Sequence, residues 1–219
     1  MSTAGRVEVA PERLPGWVER FAASHGRLSR VRVPSATPVA WQLDAADGSW
    51  ARLTGWSDAA EPFDVWALPP ALLLLLVRRG GYAVAVVSPS GELVAHKVGT
   101  RHVQSRTAAG GWSQQRYARR RGHQADALVG AVVGHAARVL GEGETTAGTV
   151  GGVVTGGDRT LAAEVLAALA TGPLTRLHGL PSRELPDLAD PRRAVLDAAA
   201  QRARAVRVEV HNAEGAGAQ

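Results

Sequence analysis

Ala71-Leu-Leu-Leu-Leu-Leu-Val-Arg-Arg-Gly-Gly-Tyr-Ala-Val-Ala-Val-Val-Ser-Pro-Ser-Gly-Glu-Leu-Val-Ala-His-Lys-Val98 is the stretch on which the fold turns. Leu72 to Arg78 opens as a continuous apolar run, the pattern of a strand in a core sheet. Gly80-Gly81 turns the chain, and Tyr82 to Ser88 forms a second strand. Pro89-Ser90-Gly91 is a tight turn, and Glu92 to Val98 forms a third strand. Three strands joined by such short turns predict an antiparallel meander. The apolar run from Ala71 to Val77 falls far short of the ~20 residues that span a bilayer.

Downstream, apolar residues recur at Ala125, Leu128, Val129, Val132, Val133, Ala136, Val139 and Leu140, one face of a helix from about Arg116 to Leu140. A Gly/Thr-rich loop over 141–148 follows. Val150 to Thr155 reads as a buried strand, and Asp158 is placed to cap a helix from Thr160 to Ala170. Leu174 to His178 reads as a short strand, and Pro191 opens a helix to Arg204. Val206, Val208 and Val210 alternate in a final strand. This second half is β-α-β-α-β, which predicts parallel strands with right-handed crossovers. Meander, long helix and βαβ units together are the order of an RNase H-like mixed α/β sheet.

Upstream, Met1 to Ala10 reads as a loose lead-in. Leu14, Trp17, Val18 and Phe21 fall at helical spacing in a helix from Pro11 to His25 that Gly26 ends. Strands are expected over Leu28–Val33, Val39–Leu43 and Trp50–Leu53, the last two joined through Asp47-Gly48, and a loop over Ser57–Phe63. The predicted organisation is a small α+β extension over 1–66, a main domain over 67–210, and a disordered tail over 211–219.

Composition narrows the function classes. The 219 residues carry no cysteine, which removes disulfides, thiol nucleophiles and cysteine-bound metal. The first residues lack a signal-peptide pattern, so a soluble cytoplasmic protein is expected. Six arginines (101, 106, 116, 119, 120, 121) and no Asp or Glu lie between Arg101 and His123, so against a net +5 the rest of the chain is net −1. Basicity this local predicts a polyanion-binding surface. Lys97 is the only lysine.

The arginines flank an unusual segment, Gly110-Gly111-Trp112-Ser113-Gln114-Gln115-Arg116. It lies in a loop of about ten residues in a domain otherwise joined by tight turns, where long loops tend to carry function. Trp112 has no apolar neighbour in sequence. Arg116, Arg119, Arg120 and His123 share about one face at a helix start, where the macrodipole disfavours cations. Such an arrangement invites phosphate from outside. The bland alternative is a surface loop of small residues. Glutamine is no general base, but its amide can orient a water while neighbouring N–H groups meet a developing oxyanion. The glycines let backbone approach a crowded substrate. That chemistry suits hydrolysis of an activated ester.

Gly110-Gly111-x-Ser113-Gln114, followed by Gln115-Arg116-Tyr117-Ala118-Arg119-Arg120-Arg121-x-x-Gln124-Ala125, resembles the Vms-type release-factor domain in its actinobacterial form. That family is related to the middle domain of eukaryotic class-I release factors. The resemblance is close over about residues 100–130 and looser over 70–210. It implies an RNase H-like fold and metal-independent hydrolysis of the peptidyl-tRNA ester on stalled or split large ribosomal subunits. It implies that Gly110 and Gly111 match the glycine pair and Gln114 the catalytic amide. Trp112 and Ser113 stand between them, so Gln115 is the other candidate. Arg101, Arg106, Trp112, Arg116, Arg119, Arg120, Arg121 and His123 are then expected to meet tRNA or ribosomal RNA. Neither a metal nor another cofactor is expected, and neither DNA nor a membrane is an expected partner.

Other signals are weaker. Glu92 and Asp158 lack carboxylate partners in the predicted sheet, which argues against a two-metal nuclease. Gly151-Gly152 and Gly156-Gly157 lack the Lys-Ser/Thr of a phosphate loop and read as turn glycines. The histidines show no metal spacing, with His135 expected to be structural or solvated, and Trp17, Trp41, Trp50, Trp56 and Trp66 read as core. A non-catalytic ribosome- or RNA-binding module explains the arginines equally well but leaves the glycine pair and the glutamines idle.

Overall fold

The computed structural model describes residues 5–33, 40–56, 63–100 and 114–213, giving backbone alone for 64–65 and 114–125. Its elements in chain order are β1 (Gly5–Val9), α1 (Leu14–His25), β2 (Leu28–Val33), β3 (Ala40–Ala45), β4 (Trp50–Thr54), α2 (Phe63–Trp66), β5 (Ala71–Arg78), β6 (Gly81–Val87), β7 (Leu93–Thr100), α3 (Gln114–Ala147), β8 (Val150–Gly157), α4 (Arg159–Leu169), β9 (Ser182–Leu185), α5 (Arg193–Arg204) and β10 (Val206–His211). They build a mixed α/β molecule of two compact units, one from residues 1–70 with 204–219, the other from 71–203.

In the first unit the strands run β1-β10-β4-β3-β2, every neighbouring pair antiparallel. The β3-β4 hairpin turns at Gly48, φ 89°, after Asp47, whose carboxylate accepts the Ser49 N–H at 2.8 Å. A 3-10 turn over Pro11–Arg13 leads into α1, and Gly26 (φ 85°) ends it as the sequence predicts. Leu14, Val18 and Phe21 of α1 join Leu43, Leu53, Trp66, Val206 and Val208 in one buried cluster. Buried Arg204 donates to the Glu12 carboxylate. Burial pushes the Glu12 carboxyl up, but that hydrogen bond, a backbone bond and the guanidinium charge hold it below the ordinary value.

Several expectations are corrected here. Residues Gly5–Val9 are not a loose lead-in but an edge strand on β10. The chain remains ordered past His211, which pairs with Trp50, while the Ala213 N–H donates to Ser49 Oγ at 3.0 Å. Above all, β10 does not extend the parallel strands of the second half. It sits between β1 and β4, antiparallel to both. Alternation of Val206, Val208 and Val210 with charged residues fits a sheet with one buried face.

The second unit holds the meander, with strand order β7-β6-β5-β8-β9. β5 pairs antiparallel to β6 and parallel to β8, and β8 pairs parallel to β9. Leu72 to Val77 are all buried, because β5 lies at the middle of the sheet with both faces covered. Leu73, Leu75 and Val77 share a core with Leu128, Val132, Ala136, Val139 and Leu140 of α3 and Leu161, Val165 and Leu169 of α4. At α5, Arg193 donates to His96 Nε2 at 2.8 Å, and buried Arg183 of β9 donates to the Ala203 carbonyl at 3.4 Å.

Two further expectations fall in this unit. Leu174–His178 is part of a 3-10 helix over Gly172–Gly179, not a strand, and the strand is Ser182–Leu185. The predicted loop over 141–148 is helical through Ala147, so α3 is 34 residues long, ~51 Å at 1.5 Å per residue.

Candidate functional site

What fixes the position of the glutamines is the seating of α3 on the sheet. Tyr82 of β6 lies opposite Gly99 of β7. A Cβ at Gly99 would stand 2.3 Å from Tyr82 Cζ, so only glycine lets the phenol lie across the strand. The same ring stacks on His135 of α3, centroids 5.6 Å apart and planes within 18°. Burial raises the Tyr82 hydroxyl pKa, with the Arg138 charge opposing it. Two turns on, Gly143 packs so closely on β6 that a Cβ there would lie 2.4 Å from Val86 Cβ. At the helix end, Glu144 accepts the Val150 N–H at 2.8 Å and an Arg176 N–H at 2.5 Å, tying α3 to β8.

These contacts also give the helix its direction. From His135 to Gly143 it advances over the sheet from Tyr82 to Val86. Traced backward along that direction, it heads toward the end of β6 and β7 where Gly81 pairs with Thr100. Gln114 opens α3, 21 residues before His135, which is about 31 Å along the axis. The helix thus carries its N-terminus well away from the stacked Tyr82–His135 pair.

Gln114 and Gln115 therefore occupy the first turn of α3, two residues earlier than the helix start expected near Arg116. Arg116, Arg119, Arg120, Arg121 and His123 follow on the same helix, whose first turn contains no acidic residue. Four N–H groups at a helix start have no intrahelical acceptor, and the macrodipole leaves that end positive. Adding arginines there opposes helix stability and favours an anion. Arg101, Arg106, Gly110, Gly111 and Trp112 lie outside the described residues.

The remaining candidates resolve into structural roles. Asp158 caps α4, accepting from the Thr160 and Leu161 N–H groups at 3.1 and 3.2 Å. Gly151, Gly152, Gly156 and Gly157 lie within β8 rather than in turns. Trp56 and Trp66 are buried, while Trp17, Trp41 and Trp50 are half-buried. Trp50 stacks on His211 at 5.5 Å. Among the described residues no group of three or more His, Cys, Asp or Glu is placed to hold a metal ion. None of their helices is long and apolar enough to cross a membrane. Sequence reasoning missed the Tyr82–Gly99–His135 arrangement. A lone glycine near a strand end opposite an aromatic was the available signal.

Residues 70–209 match the family model described as Actinobacteria/chloroflexi VLRF1 release factor. The chain matches no curated protein. The match takes in the whole second unit and most of β10, which completes the sheet of the first. The chain belongs to the Actinobacteria/chloroflexi VLRF1 release factor family.

Proposed function

We propose that this release factor family member is a cytoplasmic, metal-independent hydrolase that frees nascent peptide from tRNA on stalled or split large ribosomal subunits. The carrying observation is that Gln114 and Gln115 open a 34-residue helix with only Trp112 and Ser113 between them and a Gly-Gly pair, in a chain of a release factor family. The meander, the long helix and the parallel β8-α4-β9 unit support an RNase H-like reading of the sheet that bears this helix.

The chemistry follows from the parts. Water attacks the carbonyl carbon of the ester, and the electron pair moves to its oxygen. The free N–H groups and positive dipole at a helix start oppose that developing charge. Gln114, being neutral, accepts a hydrogen bond from the water and aims it. Gln115 is the rival for that role. The proton that water loses ends on the departing ribose oxygen, so no side chain changes ionisation. Gly110 and Gly111 leave room for the acceptor end of the tRNA. Trp112 stacks on an exposed base or ribose. Arg101, Arg106, Arg116, Arg119, Arg120, Arg121 and His123 neutralise phosphates of tRNA or ribosomal RNA. A helix end held ~31 Å from its stacking anchor suits entry into a deep site on the subunit.

Release of labelled peptide from purified large-subunit complexes tests this reading. Gln114→Ala is expected to slow release while subunit binding persists. Unchanged release for both Gln114→Ala and Gln115→Ala overturns it and leaves a non-catalytic RNA-binding module, which the arginines alone would explain.

A further inference from the structure

Helix α3 contains glycines of two kinds. Gly143 is demanded by its neighbour, since a Cβ would strike Val86. Gly130, Gly134 and Gly141 are exposed, and nothing lies within 4 Å of where their Cβ atoms would be. Glycine is the poorest helix former after proline, and at these three positions no packing gain offsets its freedom. Gly130 and Gly134 are one turn apart and so share a face. They straddle the buried Val132, between Leu128, the first buried side chain among the described residues of the helix, and the ring stack at His135. Asp126 and Ala127, just before Leu128, are exposed, and from there the helix runs on to Gln114.

From these placements we infer that Gly130 and Gly134 form a hinge, through which the N-terminal run of α3 pivots against the rest of the second unit. Helices kink at glycine pairs, and the solvent side here offers no side chain to resist. Sixteen residues separate Gly130 from Gln114, or ~24 Å of helix, so a bend of about 20° swings Gln114 by ~8 Å. Leu128 and Val132 hold the inner side, so the helix flexes without leaving the core. The pivot lets one end of a long, stiff element find its place while the sheet stays docked. The use of the motion rests on the proposed hydrolase reading. Its existence does not.

The absence of cysteine makes the test direct. Nitroxides are attached to the full chain at Ala118→Cys on α3 and Glu164→Cys on α4, and their distance distribution is read by pulsed electron resonance. The expected distribution for the parent is at least twice as broad as in the Gly130→Ala/Gly134→Ala background. Gly141→Ala, on the seated part of α3, is expected to leave the width unchanged. Equal widths in parent and double variant, with the variant shown folded by circular dichroism, overturn the hinge. So does narrowing by Gly141→Ala alone. Peptide release is measured in parallel, with a loss of about tenfold expected for the stiffened variant. A parent that releases no peptide, while the double variant still narrows the distribution, refutes the hydrolase reading and leaves the hinge standing.

Discussion

Replacing Gly143 by alanine tests how α3 is seated. On an exposed helix the change would stabilise by about 1 kcal/mol, because alanine is the better helix former. Here the new Cβ would lie 2.4 Å from Val86 Cβ and 2.5 and 2.8 Å from its two methyl carbons. Val86 is fully buried, and the nearest atom is its branch point, so rotation about χ1 cannot clear the clash. Ordinary contact requires ~3.4 Å or more, so helix and strand must separate by about 1 Å, an overpacking cost near 3 kcal/mol. The balance is a loss of about 2 kcal/mol, or on the order of 6–10 °C in Tm for a unit of this size. The assay separates the two units. Five of the six tryptophans (Trp17, Trp41, Trp50, Trp56 and Trp66) lie in residues 1–70 and only Trp112 in 71–203, whereas α3, α4 and nearly all of α5 lie in 71–203. Circular dichroism at 222 nm should therefore show the drop, and the double variant Gly143→Ala/Val86→Ala should lose less than the sum of its single changes. A Gly143→Ala protein that melts higher than its parent would refute the close packing described here.

Three other outcomes follow from the same physical picture. Truncation after Ala203 removes β10 from between β1 and β4 and with it buried Val206 and Val208; tryptophan emission is expected to shift to that of unfolded chain, and a native spectrum would contradict the sheet order. Arg204 holds the Glu12 carboxyl below its ordinary pKa, so its contribution is present above the unfolded value of about 4.3 and is lost as pH falls through the lower folded value. Acid titration of tryptophan fluorescence should accordingly show a stability gap between parent and Glu12→Gln near neutral pH that closes below about pH 4. Replacing Arg119, Arg120 and Arg121 by alanine should lower the slope of log affinity for tRNA against log salt by about 2 to 3; an unchanged slope means these side chains do not neutralise phosphate.

Legibility in the sequence followed the physical strength of each signal. Leu72 to Val77 is apolar without interruption because β5 is covered on both faces, and its position in the meander could be read directly. Ser182–Leu185 could not. It is a parallel edge strand whose Ser182, Arg183 and Glu184 hide it, and only the fold explains why Arg183 is buried against the Ala203 carbonyl. Apolar Leu174 and Leu177 gave the neighbouring 3-10 helix the look of that strand. The valines of β10 announced a strand but not its partners, since alternation specifies one buried face and not which sheet supplies it. Gly141 looked like a helix end, whereas α3 continues and Gly143 is spent on contact with Val86. Of the candidate site, the charge cluster and the Gly-Gly-x-Ser-Gln spacing were legible because they are local. That Gln114 begins the helix was less so, although a serine at 113 is a residue type that commonly precedes a helix. The distance from Gln114 to the sheet depends on the Tyr82–His135 stack, a long-range contact that no local pattern encodes.

The most direct test of the central claim is single-turnover release of labelled peptide from peptidyl-tRNA on isolated large subunits, with binding measured on the same preparations. For whichever of Gln114→Ala and Gln115→Ala removes the positioning amide, the expected rate loss is ~10²–10³-fold with affinity for the subunit retained. Full release rates in both variants, or loss of release that only tracks loss of binding, would contradict it.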